Sequence, residues 1–337
     1  MPENPELLAA IVAHPREDTP RLAYADWLDD HGDTDRARFI RVQYEIEKLP
    51  PIGAKASKAK KEEEALLKKH ETRWLGELAG LARKCIFRRG FVEVVRISAE
   101  QFLAHAGRLF ELAPIRDVRI EGIGERMAEL VASPHFGRAE ALGFNSHIGD
   151  QLGELTRLTV LLASPKLATV CRLEWAMSSL KTGHIAHIAE CPNLGSVVHI
   201  DLSSNPIGDV GVNVLAHSEC LPALTSLRLW GGSYLTADGI RDLLDSPLAD
   251  RLEHLVCAWL KIGDDIARAF AGAPKLKRLL TLDLSDNDIT DAGAKALAAS
   301  KHLGAMQRLT LRGHRKTLTA TGRDALKARF GKDACVF

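Results

Sequence analysis

What this chain lacks narrows what it can be. Its six cysteines (Cys85, Cys171, Cys191, Cys220, Cys257 and Cys335) are scattered through 337 residues, and no two form a C-x-x-C pair. Neither a disulfide framework nor a zinc ribbon fits that spacing. Charge is nearly absent as a global property: 45 Lys+Arg against 44 Asp+Glu leave a formal charge of +1. No long-range field draws the chain to nucleic acid or to an anionic membrane, so neither is expected as a partner. No apolar run reaches the roughly 18 residues of a membrane-spanning helix. The opening MPENPELLAAIVAHPRED carries acids where a signal peptide would be basic and then apolar, so a cytoplasmic protein with reduced thiols is expected. There is no G-x-x-x-x-G-K-[ST] loop, no G-x-G-x-x-G opening a helix, no G-x-S-x-G elbow and no H-E-x-x-H helix. The expectation is a chain without catalytic residues, cofactor or metal.

What is present is a period. The central apolar residues of short strands fall at Val95, Val118, Leu142, Leu173, Ile200, Leu227, Leu255, Leu282 and Leu309. Their successive differences are 23, 24, 31, 27, 27, 28, 27 and 27. The 31-residue interval predicts a lengthened loop around residues 156–165. After each strand comes a turn and an amphipathic helix, as in SDNDITDAGAKALAAS after Leu284 and SSNPIGDVGVNVLAHS after Leu202. Ile289, Ala292, Ala296 and Leu297 sit on one helical face. Thr236, Thr290 and Thr319 are placed to cap first turns, and Ser98 with Gln101 fits a capping box. One strand and helix cannot hide their own apolar face, whereas stacked neighbours share a continuous core.

A period near 27 lies in the leucine-rich-repeat window. Asn205 and Asn287 fill the asparagine position of the L-x-x-L-x-L-x-x-N pattern, which Gly232, Leu260 and Ser178 replace in other units. Residues 194–326 resemble the ribonuclease-inhibitor class of leucine-rich repeats closely, and 91–190 loosely. The resemblance implies an α/β solenoid, a right-handed horseshoe arc of about nine parallel strands, preceded by a small all-α module.

Residues 1–49 read as three short helices. Asn4-Pro5 and Thr19-Pro20 each place a capping residue before a proline at the first helical position, and Gly32-Asp33 breaks the chain before the third. In Asp18 to Gln43 the order TPRL, YADWL, HGD, RFIRVQ resembles the repeat-companion domain, a module of bacterial proteins that carry repeats. The boundaries expected are 1–49 for this module, 50–90 for a charged linker and capping helix, and 91–337 for the solenoid with its C-terminal cap.

Strand alternation then nominates a binding face. On the concave side it places Arg172, Glu174, His199, Asp201, Arg228, Trp230, His254, Asp283, Arg308 and Arg312. Trp230 is the expected anchor, since binding hot spots favour Trp, Tyr and Arg. Arg308, Arg312, His314, Arg315 and Lys316 read as a basic cluster at the rim. Two chemical alternatives stand beside this: a metal site at His184, His187 and Cys191 with His217 and Cys220, and an enzyme using Asp26, Asp29, His31 and Asp33. Capping and helix-end roles account for both groups more simply. The expected function is a non-enzymatic, monomeric scaffold that binds a partner protein. The alternative readings are a regulator of a bound enzyme or GTPase, since the repeats also resemble those of Ran GTPase-activating proteins, and an enzyme of unknown type.

Overall fold

The computed structural model describes residues 4–49, 53–144, 154–314 and 317–337. The chain divides into two compact units, Met1–Glu140 and Ala141–Phe337.

The first unit begins with α1 (Pro5–Ala13), α2 (Thr19–Asp30), α3 (Thr34–Lys48) and the long α4 (Ala54–Leu75). Asn4 caps α1, accepting from Leu7 N–H at 3.0 Å, with Pro5 in the first turn. Thr19 does not cap α2. The helix begins on it, and Asp18 at the cap position instead accepts from the Tyr44 hydroxyl and from Arg89. Asp33 caps α3 after Gly32 turns the chain at φ 84°. The charged stretch folds as α4, and a strand that sequence pattern did not show follows it. This is β1 (Lys84–Arg88), which forms an antiparallel hairpin with β2 (Phe91–Ser98). The turn uses Arg89 and Gly90, both at positive φ, as two-residue hairpins require. A Cβ on Gly90 would collide with Ile40 of α3. Phe91 is buried among Ile11, Tyr24, Leu28 and Ile40, so helices and hairpin share one core. Arg21 is fully buried beneath it and pairs with Glu93 at 2.9 Å, as does Arg89. Then come α5 (Ala99–Leu112), with the Ser98–Gln101 capping box intact, β3 (Asp117–Glu121), parallel to β2, and α6 (Met127–Ala132).

The second unit is the regular part of an α/β leucine-rich-repeat solenoid. Its strands are β4 (Ala141–Phe144), β5 (Arg172–Glu174), β6 (His199–Asp201), β7 (Ser226–Arg228), β8 (His254–Val256), β9 (Thr281–Asp283), β10 (Arg308–Thr310) and β11 (Cys335–Val336). All pair in parallel, and one register line runs Leu142, Leu173, Ile200, Leu227, Leu255, Leu282, Leu309, Cys335. The helices between them are α7 (Glu154–Leu162), α8 (Thr182–Ala189), α9 (Gly208–Ala216), α10 (Ala237–Asp245), α11 (Asp264–Gly272), α12 (Asp291–Ala299) and α13 (Ala320–Phe330). The residues of the register line from Leu142 to Leu309 are buried, and Cys335 at its end is half-buried. The second core position of each repeat is buried too: Trp175, Leu202, Leu229, Cys257, Leu284 and Leu311. The nine expected strands are β2 to β10, and β1 and β11 add to them. The lengthened loop expected around residues 156–165 is not found there. Residues 156–162 belong to α7, because Leu158, Leu161 and Leu162 fall at helical spacing and are buried. No helix among the described residues is long and apolar enough to cross a membrane.

Candidate binding face

Because the leucines of β5 to β10 point to the helices, the residues between and beside them form the opposite face of the sheet. Arg172 on β5 lies 3.7 Å from Glu174. Arg228 on β7 pairs with Asp201 on β6 at 3.1 Å. His199 is buried, and its Nδ1 meets the Ser226 hydroxyl of the next strand at 2.7 Å. His254 repeats the arrangement with Thr281 at 2.9 Å. Burial, with Arg172 second, pulls His199 down to about 4, so its imidazole is neutral at ordinary pH. Asp283 accepts from the backbone and hydroxyl of Ser285 at 2.9 and 2.6 Å. Arg308 is half-buried and Arg312 exposed, and neither forms an ion pair among the described residues. His314 does not belong to the basic rim: it is 3% exposed and part of the frame. Arg315 and Lys316 lie outside the described residues.

The frame is held by two recurring ties. At the first, a buried side chain fills the asparagine position. Asn205 accepts from Ser178 and Leu180 N–H (3.0 and 2.9 Å) and donates to Trp175 and Leu202 C=O (2.6 and 2.9 Å). Asn287 does the same toward Leu260 and Cys257. Ser178 donates to Phe144 C=O, and His314 stands in for asparagine, accepting from Ile289 N–H at Nδ1 and bonding Leu284 C=O through Nε2. At the second tie, an aspartate opening one helix clasps the capping threonine of the next. Asp209 holds Thr236, Asp264 holds Thr290 and Asp291 holds Thr319, each through backbone N–H and hydroxyl. The glycine three residues after each threonine makes room. A Cβ on Gly239, Gly293 or Gly322 would meet that carboxylate.

Both ties fail between the repeats of β7 and β8. Leu260 replaces asparagine, and Ala237 stands where α9, α11 and α12 provide aspartate. Arg251 and Lys275 reach across at the far end of the repeat, to Leu221 and Leu224 C=O and to Asp245 C=O. On the helix side a cleft of about 350 Å³ opens between α10 and α11, lined by Arg241, Asp245, Asp265 and Arg268. On the sheet side the same joint carries an aromatic pair. Trp230 and Trp259 are 41% and 51% exposed, with ring centroids 5.8 Å apart and planes 34° apart. Tyr234, in the β7 turn, is 77% exposed.

Trp259 is the residue that sequence reasoning missed. It sits two positions after the core residue Cys257, in the turn rather than the strand, where other repeats place Met177, Ser204, Gly231, Asp286 and Gly313. All six have positive φ, 61° at Trp259. Aligning the turns as well as the strands would have found it. A bulky side chain there is strained, and such strain concentrates at functional positions.

The other sequence candidates are accounted for structurally. Arg41 pairs with Asp26 and Asp29 at 2.7 and 2.6 Å. His31 stacks on Trp27, and Asp33 caps α3 and holds Arg73. His184 closes its own helix start, accepting from Lys181 N–H at 2.9 Å, and His217 bonds Asn213 C=O. Burial pushes the Cys257 and Cys191 thiols up, which removes nucleophilic character. No group of three His, Cys, Asp or Glu among the described residues is placed to hold a metal ion.

Leucine-rich repeats are found at residues 196–216 and 277–298. These are the stretches carrying Asn205 and Asn287. No curated protein matches the chain. Among solved structures, the chain is similar to one in the crystal structure of the Rad7 and Elc1 complex in yeast, at 14% identity and a TM-score of 0.42. The similarity covers 70% of this chain and 67% of that one.

Proposed function

We propose that this protein is a non-enzymatic scaffold that binds a partner protein on the strand face of its second unit. The Trp230–Trp259 pair is the centre of contact. The observation that carries the reading is the placement of two exposed, touching indoles at the one joint, among the described residues from β5 to β10, where both recurring ties are given up. A local rule broken without structural gain marks function, and paired tryptophans supply large apolar area at low entropic cost. Arg172, Glu174, Asp201, Arg228, His254, Asp283, Arg308 and Arg312 surround the centre, with His199 supporting from below. The finer reading includes a bacterial repeat-companion module over 1–49, a linker over 50–90, ribonuclease-inhibitor-type repeats over 91–337, a cytoplasmic setting and a monomer.

The test compares proteins retained from a native extract by wild type and by the Trp230→Ala/Trp259→Ala double variant, each first checked for native circular dichroism. A partner retained by wild type and lost from the folded double variant is the expected result. Identical retention by both would overturn the reading.

A further inference from the structure

Among α1 to α4 and the β1–β2 hairpin is a cavity of about 400 Å³, within the size range of small-molecule pockets. Its walls are mostly apolar, with Tyr24, Leu28, Phe87, Phe91 and Leu112 contributing. Four charged residues also line it: Asp33, Arg36, Arg73 and Glu77. Three of them are neutralised. Arg73 binds both oxygens of Asp33 at 3.1 Å, and Arg108 holds Glu77 at 2.7 Å. Arg36 is the remainder.

Arg36 is 8% exposed and forms no ion pair among the described residues. Its Nη2 donates to Gly90 C=O at 2.5 Å, and its Nη1 is buried without an acceptor. Trp74, on the same wall, also has a buried Nε1 without an acceptor. The guanidinium lies 4.7 Å from the Trp74 ring and 5.3 to 5.5 Å from Phe39, Phe87 and Phe91. Ring faces attract a cation, yet they accept no conventional hydrogen bond from either donor. Burial pulls the guanidinium down to about 10, the mark of a charge that its surroundings do not fully compensate.

We propose that this cavity binds a small amphipathic carboxylate. Its apolar body lies among the aromatic rings, and its carboxylate accepts from Arg36 Nη1 and Trp74 Nε1. One uncompensated charge beside two N–H donors suits a planar monoanion, which guanidinium groups match well. Nη1 is sealed from water, so entry shifts a wall side chain. The half-buried Trp74, at the end of α4, is the wall that moves.

Titration calorimetry and thermal melting of the full chain with 3-phenylpropanoate, against 3-phenylpropanol, test this. Saturable binding of the acid that raises the melting midpoint, with the alcohol at least about tenfold weaker, is expected from the strength of hydrogen bonds to charged groups. Arg36→Met should weaken the acid by a similar factor. Trp74→Phe, which keeps the ring and removes the donor, should weaken it severalfold and provides the check if Arg36→Met does not fold. Equal binding of acid and alcohol, no binding of either, or an unchanged acid affinity in a folded variant would overturn the proposal.

Discussion

At the scale of single residues, Trp259 shows how position outweighs composition. It occupies backbone at φ 61°, a region that costs most side chains roughly 1–3 kcal/mol. Replacing it by glycine removes that strain and also loses the indole contact with Trp230, worth about 0.5–1.5 kcal/mol. Trp259→Gly should therefore change the unfolding free energy by less than about 1 kcal/mol in urea titration while abolishing partner binding. His199 gives a pH test. Its folded value, about 4, lies below the ordinary 6.5, so the unfolded chain takes up a proton first. Its contribution to stability is whole above pH 6.5 and is lost as pH falls from there toward 4. Melting midpoints of His199→Gln should fall less over that interval than those of wild type. Trp230 was legible from alternation alone. His314 was not, because histidine in an asparagine position reads as a charged rim residue until its two backbone partners are seen.

At the scale of elements, the aspartate–threonine clasp inverts a common rule. Glycine to alanine inside a helix ordinarily gains up to about 1 kcal/mol. Gly293→Ala should instead destabilise by about 1–3 kcal/mol, since its Cβ meets the Asp264 carboxylate. Asp264→Ala relieves the collision but gives up the Thr290 clasp, so in the same chain the two losses should combine to less than their sum, and a double-mutant cycle in denaturant measures the coupling. Asn205→Ala strands the buried Ser178 and Leu180 amides and should cost at least about 2 kcal/mol. Sequence showed the threonine caps and both asparagines, because each is read within its own repeat. It did not show what the threonines hold onto, since that partner lies about 27 residues back. Strand β1 escaped because it lies outside the repeating interval, in the stretch 50–90 expected to be linker and capping helix.

At the scale of the molecule, the fold was legible because one interval, repeated, dictates which apolar residues become neighbours. Leu227, Leu255, Leu282 and Leu309 do lie side by side. The face those repeats present was only half legible, since its centre depends on a turn residue and on ties that are missing. Beside the indoles its charges pair internally, Arg172 with Glu174 and Arg228 with Asp201. Partner affinity should consequently change less than about threefold between 50 and 300 mM salt. The joint between β7 and β8 has a mechanical consequence. A stack that keeps at least one tie at every joint from β5 to β10 but one flexes at that joint, so the amides of Leu229 and Gly231, just after β7, should exchange with deuterium faster than those of Leu202 and Leu284. A ligand straddling both indoles would slow that exchange, and the protein would grip by stiffening.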